Sequence, residues 1–184
     1  MLAEMTPTTL TTRAPQMDDV DAIVELFNAH AQELFNESPH YAEDFTSLWT
    51  SPGFNPETDA RVVLTPEGKL IGYIHVQDIA PPHVLVQMGG RVHLDYRRQG
   101  VGTLLMQWAE KRAMQALDKA PEGTRVLLQG GASSVDKSTQ ALFEAQGFEP
   151  IRHFFRMLIE FDGPPPAPAW PEGITVRPII EATE

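Results

Sequence analysis

Between Val92 and Thr103 the chain reads Val-His-Leu-Asp-Tyr-Arg-Arg-Gln-Gly-Val-Gly-Thr, and a long amphipathic pattern follows at once. That order describes a strand, a short loop and a helix start. The loop carries Arg97, Arg98, Gly100 and Gly102 and contains no proline. It therefore offers a row of free backbone N–H groups, with two cationic side chains beside them and the positive end of a helix dipole behind. Such a place binds a diphosphate. A nucleotide P-loop is excluded, because Gly-Lys-Ser/Thr does not occur. The dinucleotide fingerprint fails too, since Leu105 stands where its third glycine is required.

Arg97-x-x-Gly100-x-Gly102, set between a strand and a helix, resembles the coenzyme A loop of the GCN5-related N-acetyltransferases (GNAT), whose pattern is Arg/Gln-x-x-Gly-x-Gly/Ala. The resemblance implies acetyl-CoA as cosubstrate, no metal, and a coenzyme site built from Val92, Arg97, Arg98, Gln99, Gly100, Val101, Gly102 and Thr103. N–H groups of the strand ending at Val92 would hold the pantetheine and the thioester oxygen, and those of Gln99 to Thr103 the diphosphate. Gly100 and Gly102 let the backbone come close, where a Cβ would crowd the phosphates.

The elements that must position this loop can be read from period and punctuation. A β-like run covers Thr9 to Arg13, and Asp18-Asp19 then opens a helix with Val20, Ile23, Val24 and Phe27 on one face. A second helix is expected over Tyr41 to Thr50, ended by Ser51-Pro52-Gly53. Ala60 to Thr65 and Leu70 to Gln77 flank the turn Pro66-Glu67-Gly68-Lys69 as a hairpin. A long strand follows from Val84 to Leu94, where Gly89-Gly90 suggests a bulge or a close backbone approach. The helix after Gly102 places Leu104, Leu105, Trp108, Ala109, Ala113, Ala116 and Leu117 on one face. Then come a strand at Arg125 to Gln129, a helix at Lys137 to Gln146 stopped by Gly147, and a last strand or pair from Glu149 to Phe161.

This order is that of the GNAT family. The resemblance implies an α/β (α+β) fold: a mixed central sheet of about seven strands with flanking helices and a bulged central strand. That strand splays from its parallel neighbour, and the pantetheine enters the gap.

The chain has 184 residues, enough for one domain with something left over. Its formal charge of −11 argues against a nucleic-acid partner, which needs a basic face. The absence of cysteine excludes disulfides, a cysteine-built zinc site and a cysteine nucleophile. No apolar run approaches the ~20 residues that span a bilayer. The start, Met1-Leu-Ala-Glu-Met-Thr-Pro, lacks the basic and apolar blocks of a signal peptide. A cytoplasmic protein with no membrane partner is expected.

Gly163 to Pro171 holds five prolines in nine residues, an extended spacer. Ile174-Thr-Val-Arg-Pro178 beyond it echoes Leu10-Thr-Thr-Arg-Ala14. Together with Ala141 to Phe148 and Arg152 to Met157, the linker and this opening resemble the N-terminal domain of tandem, mycothiol-synthase-like acetyltransferases. Implied are a GNAT domain over 1–162, a proline-rich linker over 163–173, and the start of a truncated second GNAT-like domain over 174–184. The second domain would be an intramolecular partner.

Family chemistry is attack by an amine on the acetyl thioester, which needs orientation, oxyanion stabilisation and removal of a proton. No catalytic residue is assigned. The family often places a glutamate on the central strand, and here Val84 to Leu94 offers Gln87 and His93 but no carboxylate. Asp95 serves the turn and His93 a surface or packing role. His75, Asp78 and His83, near strand ends, are candidates for a base acting through water or are plain polar residues. The family's usual acid, a tyrosine in the last helix, is replaced by Phe143, and Asp136 stands in an asparagine position. Ser133, Ser134 and Ser138 are replacement donors or turn and cap residues. Two functional readings follow: an acetyl-CoA-dependent N-acyltransferase acting on an amine of a small molecule or peptide, or a catalytically weak coenzyme-binding lobe whose second domain does the chemistry.

Overall fold

The computed structural model describes residues 10–78, 80–155 and 157–177. The chain divides into a body ending at Glu149 and a segment from Pro150 onward. The body runs β1 (Thr11–Arg13), α1 (Val20–Phe35), α2 (Ala42–Trp49), α3 (Pro56–Asp59), β2 (Ala60–Leu64), β3 (Leu70–Gln77), β4 (Leu85–Val92), α4 (Val101–Ala113), β5 (Leu127–Gln129) and α5 (Lys137–Ala145). The five strands form one sheet in chain order. Neighbours from β1 to β4 are antiparallel, and β5 lies parallel to β4. Residue 9, the first of the expected N-terminal run, lies outside the described residues.

Local chemistry sets the elements. Arg13 grips Asp19 through both guanidinium nitrogens, at 2.6 and 2.7 Å, and Asp19 also accepts from the Gln16 N–H just before α1. Between β2 and β3 the Thr65 N–H donates to Lys69 O, and Gly68 takes the left-handed φ of 86° that the turn requires. Two apolar layers then cover the sheet. On one face α1 and α2 bring Ile23, Phe27, Phe45 and Trp49 around Tyr73, whose hydroxyl accepts from Trp49 Nε1 at 3.0 Å. On the other, Val101, Leu105 and Ala109 of α4 pack on Ile71 and Val86. Arg112 ties α4 to the end of α3 through a buried 2.7 Å bond to Asp59.

The apolar face expected of α4 is rotated. Leu104 and Leu117 are exposed, while Val101 and Met106 are buried. The helix starts at Val101, and from Met114 to Asp118 the chain tightens into a 3-10 turn. That change advances each residue by about 120° rather than 100° and carries Leu117 off the buried stripe.

The expected splay of β4 from β5 is present, but no bulge produces it. Register with β3 is unbroken from Gly72 opposite Val92 to Gln77 opposite Gln87, whereas the ladder to β5 stops at Gln87 opposite Gln129. Gly89 and Gly90 answer instead to close approach. A Cβ on Gly90 would lie 2.5 Å from Tyr73 O, and one on Gly89 would lie 2.8 Å from the His75 ring.

The sheet has five strands where about seven were expected, and the difference lies in residues 149–161. Described residues there form no strand, and Phe155 and Met157 are 84% and 91% exposed. Alternating apolar residues suit a strand, yet a strand exists only with a ladder, and this segment makes none among the described residues. Of the expected second-domain opening, 178–184 lie outside the described residues, and Ile174 to Arg177 form no strand.

Candidate functional site

The hydrogen bonding of β4 decides which of its groups are free. The His93 N–H donates to Ile71 O at 2.8 Å, which makes this facing pair a hydrogen-bonded one. In an antiparallel ladder such pairs alternate. Arg91 and Gly89 therefore bond toward β3, while Gly90 and Val92 turn their N–H groups the other way, into the gap left by β5. The polar edge expected for a thioester is built from backbone alone.

At the end of that edge the chain makes one short turn over Leu94 to Tyr96 and reaches the loop. Arg98 takes a left-handed φ of 60°, and Gly100, the residue that caps α4, a φ of 84°. Among the described residues, no backbone or side-chain acceptor meets the N–H groups from Arg98 to Thr103. This run of unpaired donors sits on the N-terminus of α4, where the helix dipole adds positive potential. Its two glycines differ in purpose. Nothing lies within 4 Å of a Cβ on Gly100, so backbone conformation selects glycine there. A Cβ on Gly102 would lie 2.9 Å from Leu142 of α5, so packing as well as access favours glycine at that position.

Edge and loop open into one cleft of about 360 Å³, bounded by β4, α4, α5 and α1. Of the eight residues expected at the coenzyme, Val92, Arg97, Arg98, Gly100, Gly102 and Thr103 line it. Val101 puts its side chain into the core, and Gln99 uses its amide to donate to Asp95 O at 2.8 Å. Both can contribute only backbone N–H. Arg97 is also committed to Glu33 on α1, through a 2.9 Å hydrogen bond from Nη1 and a 2.6 Å ion-pair contact at Nη2. Arg98 is exposed and forms no ion pair among the described residues.

Two polar side chains that the sequence reading passed over face the cleft. His30, on α1, is buried, with Nε2 3.1 Å from Oδ2 of Asp136. Burial and the charges of Arg91 and Arg97 push its pKa down, against the opposite pull of Asp136 and Glu33. Asp136 caps α5, accepting from Thr139 N at 3.0 Å and from Thr139 Oγ1 at 2.5 Å. Burial works to raise its pKa, but these bonds win and hold the carboxyl below its usual range. The other side chain is Arg91, from β4. A signal for His30 existed: it continues the 20, 23, 27 spacing of the buried face of α1, where a polar residue is out of place.

The remaining candidates are divided between the cleft and other parts of the body. His93 accepts from Asp95 N at 3.3 Å and stands edge-on to Tyr96, half-buried beside the turn. Asp78 binds His83 Nδ1 and Lys119 Nζ, each at 2.7 Å, away from the cleft. His75 is half-buried between Tyr73 and Phe54, with Nδ1 out of solvent and unpaired and the pKa pushed down to about 4 by desolvation and Arg91. Ser133 serves a turn, accepting from Val135 N, whereas Ser138 lines the cleft. Phe143 lines it too, stacked on Phe148. Among the described residues no three His, Cys, Asp or Glu side chains gather to hold a metal, and no helix is long and apolar enough to cross a membrane.

The sequence model for the acetyltransferase (GNAT) domain matches residues 58–150. Comparison with curated proteins finds no match. Among solved structures, a GCN5-related N-acetyltransferase from Sphaerobacter thermophilus is similar at 31% identity and a TM-score of 0.77, over 94% of this chain. The chain spans 54% of that protein's length. A phosphinothricin acetyltransferase from Sinorhizobium meliloti, solved with acetyl-CoA, is 19% identical with a TM-score of 0.57, covering 77% of this chain and 75% of its own. Diaminobutyrate acetyltransferase from Paenibacillus lautus, solved with its substrate and coenzyme A, is 16% identical with a TM-score of 0.56, covering 76% and 75%.

Proposed function

This chain belongs to the GNAT acetyltransferases, and from that premise we propose that it transfers an acetyl group from acetyl-CoA to the amine of a small molecule or peptide. The observation that carries the reading is the run of unpaired N–H groups from Arg98 to Thr103, placed where the cleft meets the N-terminus of α4. Those donors suit a diphosphate, and the free N–H groups of Gly90 and Val92 suit a thioester oxygen further along the same edge.

Acetyl-CoA would supply an activated acyl group: the amine nitrogen bonds to the carbonyl carbon, the C–S bond breaks, and the amine gives up a proton. Residues of this chain do the rest. Gly90 and Val92 hold the carbonyl oxygen and steady the charge that develops on it. His30, kept neutral by burial, is the cleft residue fitted to accept the amine's proton, directly or through water. Its neighbour Asp136 favours the imidazolium that results. Phe143 has no proton to give, so the sulfur leaves as thiolate, which a thiol pKa of about 8.5 allows.

The alternative role, a coenzyme-binding lobe with little turnover of its own, is favoured by Phe143 and by Arg91 on the strand that often carries a glutamate. The similar Sphaerobacter thermophilus protein is nearly twice as long, which agrees with a second intramolecular domain after the proline-rich linker. A cytoplasmic setting agrees with the cysteine-free composition.

Titration calorimetry with acetyl-CoA, beside dephospho-CoA, tests the reading. Binding of acetyl-CoA is expected, and its absence would refute it. Thiol release with a panel of amines then separates enzyme from lobe. The chain has no cysteine, so every thiol counted comes from the coenzyme.

A further inference from the structure

Arg91 leaves the backbone between Gly90 and Val92, the two residues whose N–H groups face the gap. Its guanidinium lies 5.1 Å from the centroid of the Phe27 ring, and Nη1 donates to Gly90 O at 2.7 Å. That is its one hydrogen bond among the described residues, so most of a five-donor fork remains unused. Nor does any carboxylate among them come within ion-pair distance of it. Burial destabilises the charge, Asp136 partly offsets this, and Arg97 adds to it.

The carboxylates nearby are engaged elsewhere. Glu33 holds Arg97 through two contacts, and Asp136 is taken by Thr139 and His30. Arg91 is thus a half-desolvated cation, aimed at the cleft and short of an anion. A partly buried charge in that condition gains from any anion that pairs with it in the cleft. The coenzyme's diphosphate has its own donors in the loop from Arg98 to Thr103, at the other end of the edge.

We propose that Arg91 receives a carboxylate of the acceptor, so that the amine acetylated in this cleft belongs to an amino-acid-like molecule. The inference rests on the acetyl-transfer reading and narrows its substrate class. A planar guanidinium matches a carboxylate through two parallel bonds and fixes its orientation as an ammonium would not. Phe27 backs the guanidinium, and His30, one turn further along α1, faces the same cleft. Carboxylate and amine of one small molecule would then meet Arg91 and His30 on a common wall, beside the N–H groups that hold the thioester.

The test uses the 184-residue chain saturated with coenzyme A. Calorimetry follows a panel of N-acetyl-L-amino acids, which cannot react further, and their primary amides, which lack only the charge. Coenzyme affinity is measured first for each variant, as the check on folding. At least one acid should bind, with its amide weaker by about tenfold or more. Arg91→Gln should erase that difference, and Arg91→Lys should keep part of it. Equal binding of acids and amides, or a coenzyme complex that binds no acid, would overturn the inference while leaving acetyl transfer standing. Failure of the wild-type chain to bind coenzyme A would instead remove the acetyl-transfer reading, and this inference with it.

Discussion

Nε2 of His30, on α1, lies 3.1 Å from Oδ2 of Asp136, the residue that caps α5, and the two side chains are only 7% and 5% exposed. Two helices on opposite sides of the cleft are thereby joined by a buried imidazole and a carboxylate. The proposed proton acceptor needs to be neutral before reaction and stabilised after it. Burial provides the first condition and Asp136 the second.

His30 should accordingly titrate below the ordinary histidine value of 6.5, and Asp136→Asn should push it lower still, since the carboxylate opposes the downward shift. The amide oxygen can still accept from Thr139 N, so the start of α5 should survive. Histidine NMR across pH 4–8 reads both effects. A His30 titrating at or above 6.5 would mean that burial does not depress the imidazole as described.

His75 should make stability fall on mild acidification. Its folded pKa, near 4, lies below the ordinary 6.5, so the unfolded chain takes up the proton first. The contribution is whole above pH 6.5 and is lost as pH falls toward 4, up to about 3 kcal/mol. His75→Leu keeps roughly the volume and removes both the titration and the unpaired Nδ1. Urea unfolding at pH 7 and pH 4.5 should show a smaller acid loss in the variant, by about 1–3 kcal/mol. Equal losses would mean that the fold does not hold His75 neutral.

Much of this arrangement was legible in the sequence, for physical reasons. The loop from Arg97 to Thr103 could be read because its glycines, arginines and following helix are adjacent in the chain. The hairpin of β2 and β3 could be read from its turn residues. His30 and Asp136 were harder: 106 residues separate them, and only the sheet brings them together. The splay of β4 was expected, but its supposed cause was wrong. A glycine pair can mark a bulge or a close approach, and only the position of Tyr73 O decides between them. The strands expected over 149–161 show the converse, since alternation signals a strand without supplying the neighbour it needs.

Gly90 and Gly102 should tolerate alanine very differently. At Gly90 the new Cβ meets backbone, Tyr73 O at 2.5 Å, within a paired ladder that has little freedom to move. Gly90→Ala should cost about 2 kcal/mol or more. At Gly102 the Cβ meets the tip of Leu142, which can swing aside. Gly102→Ala should stay within about 1 kcal/mol of wild type while moving Leu142 in the cleft and weakening coenzyme binding. Thermal unfolding paired with calorimetry separates the two. Equal stabilities would mean that β3 and β4 are less tightly apposed than described.

The two arginines of the loop should part company in the same way. Arg98 is exposed, with no ion pair among the described residues, so its charge is available to a phosphate. Arg98→Ala should weaken acetyl-CoA binding about threefold to tenfold at low salt, with a smaller difference at high salt, as for a screened contact. Arg97→Ala should act less through the coenzyme than through Glu33, which it leaves without its partner next to His30. The released Glu33 charge and the lost Arg97 charge both favour the imidazolium, so His30 should titrate higher in that variant. Gly100→Glu completes the set: it adds a negative charge at the helix mouth and a side chain where φ is 84°, and it should abolish coenzyme binding. Retained affinity in Gly100→Glu would place the diphosphate elsewhere, and an unchanged salt dependence in Arg98→Ala would make Arg98 a solvated surface residue.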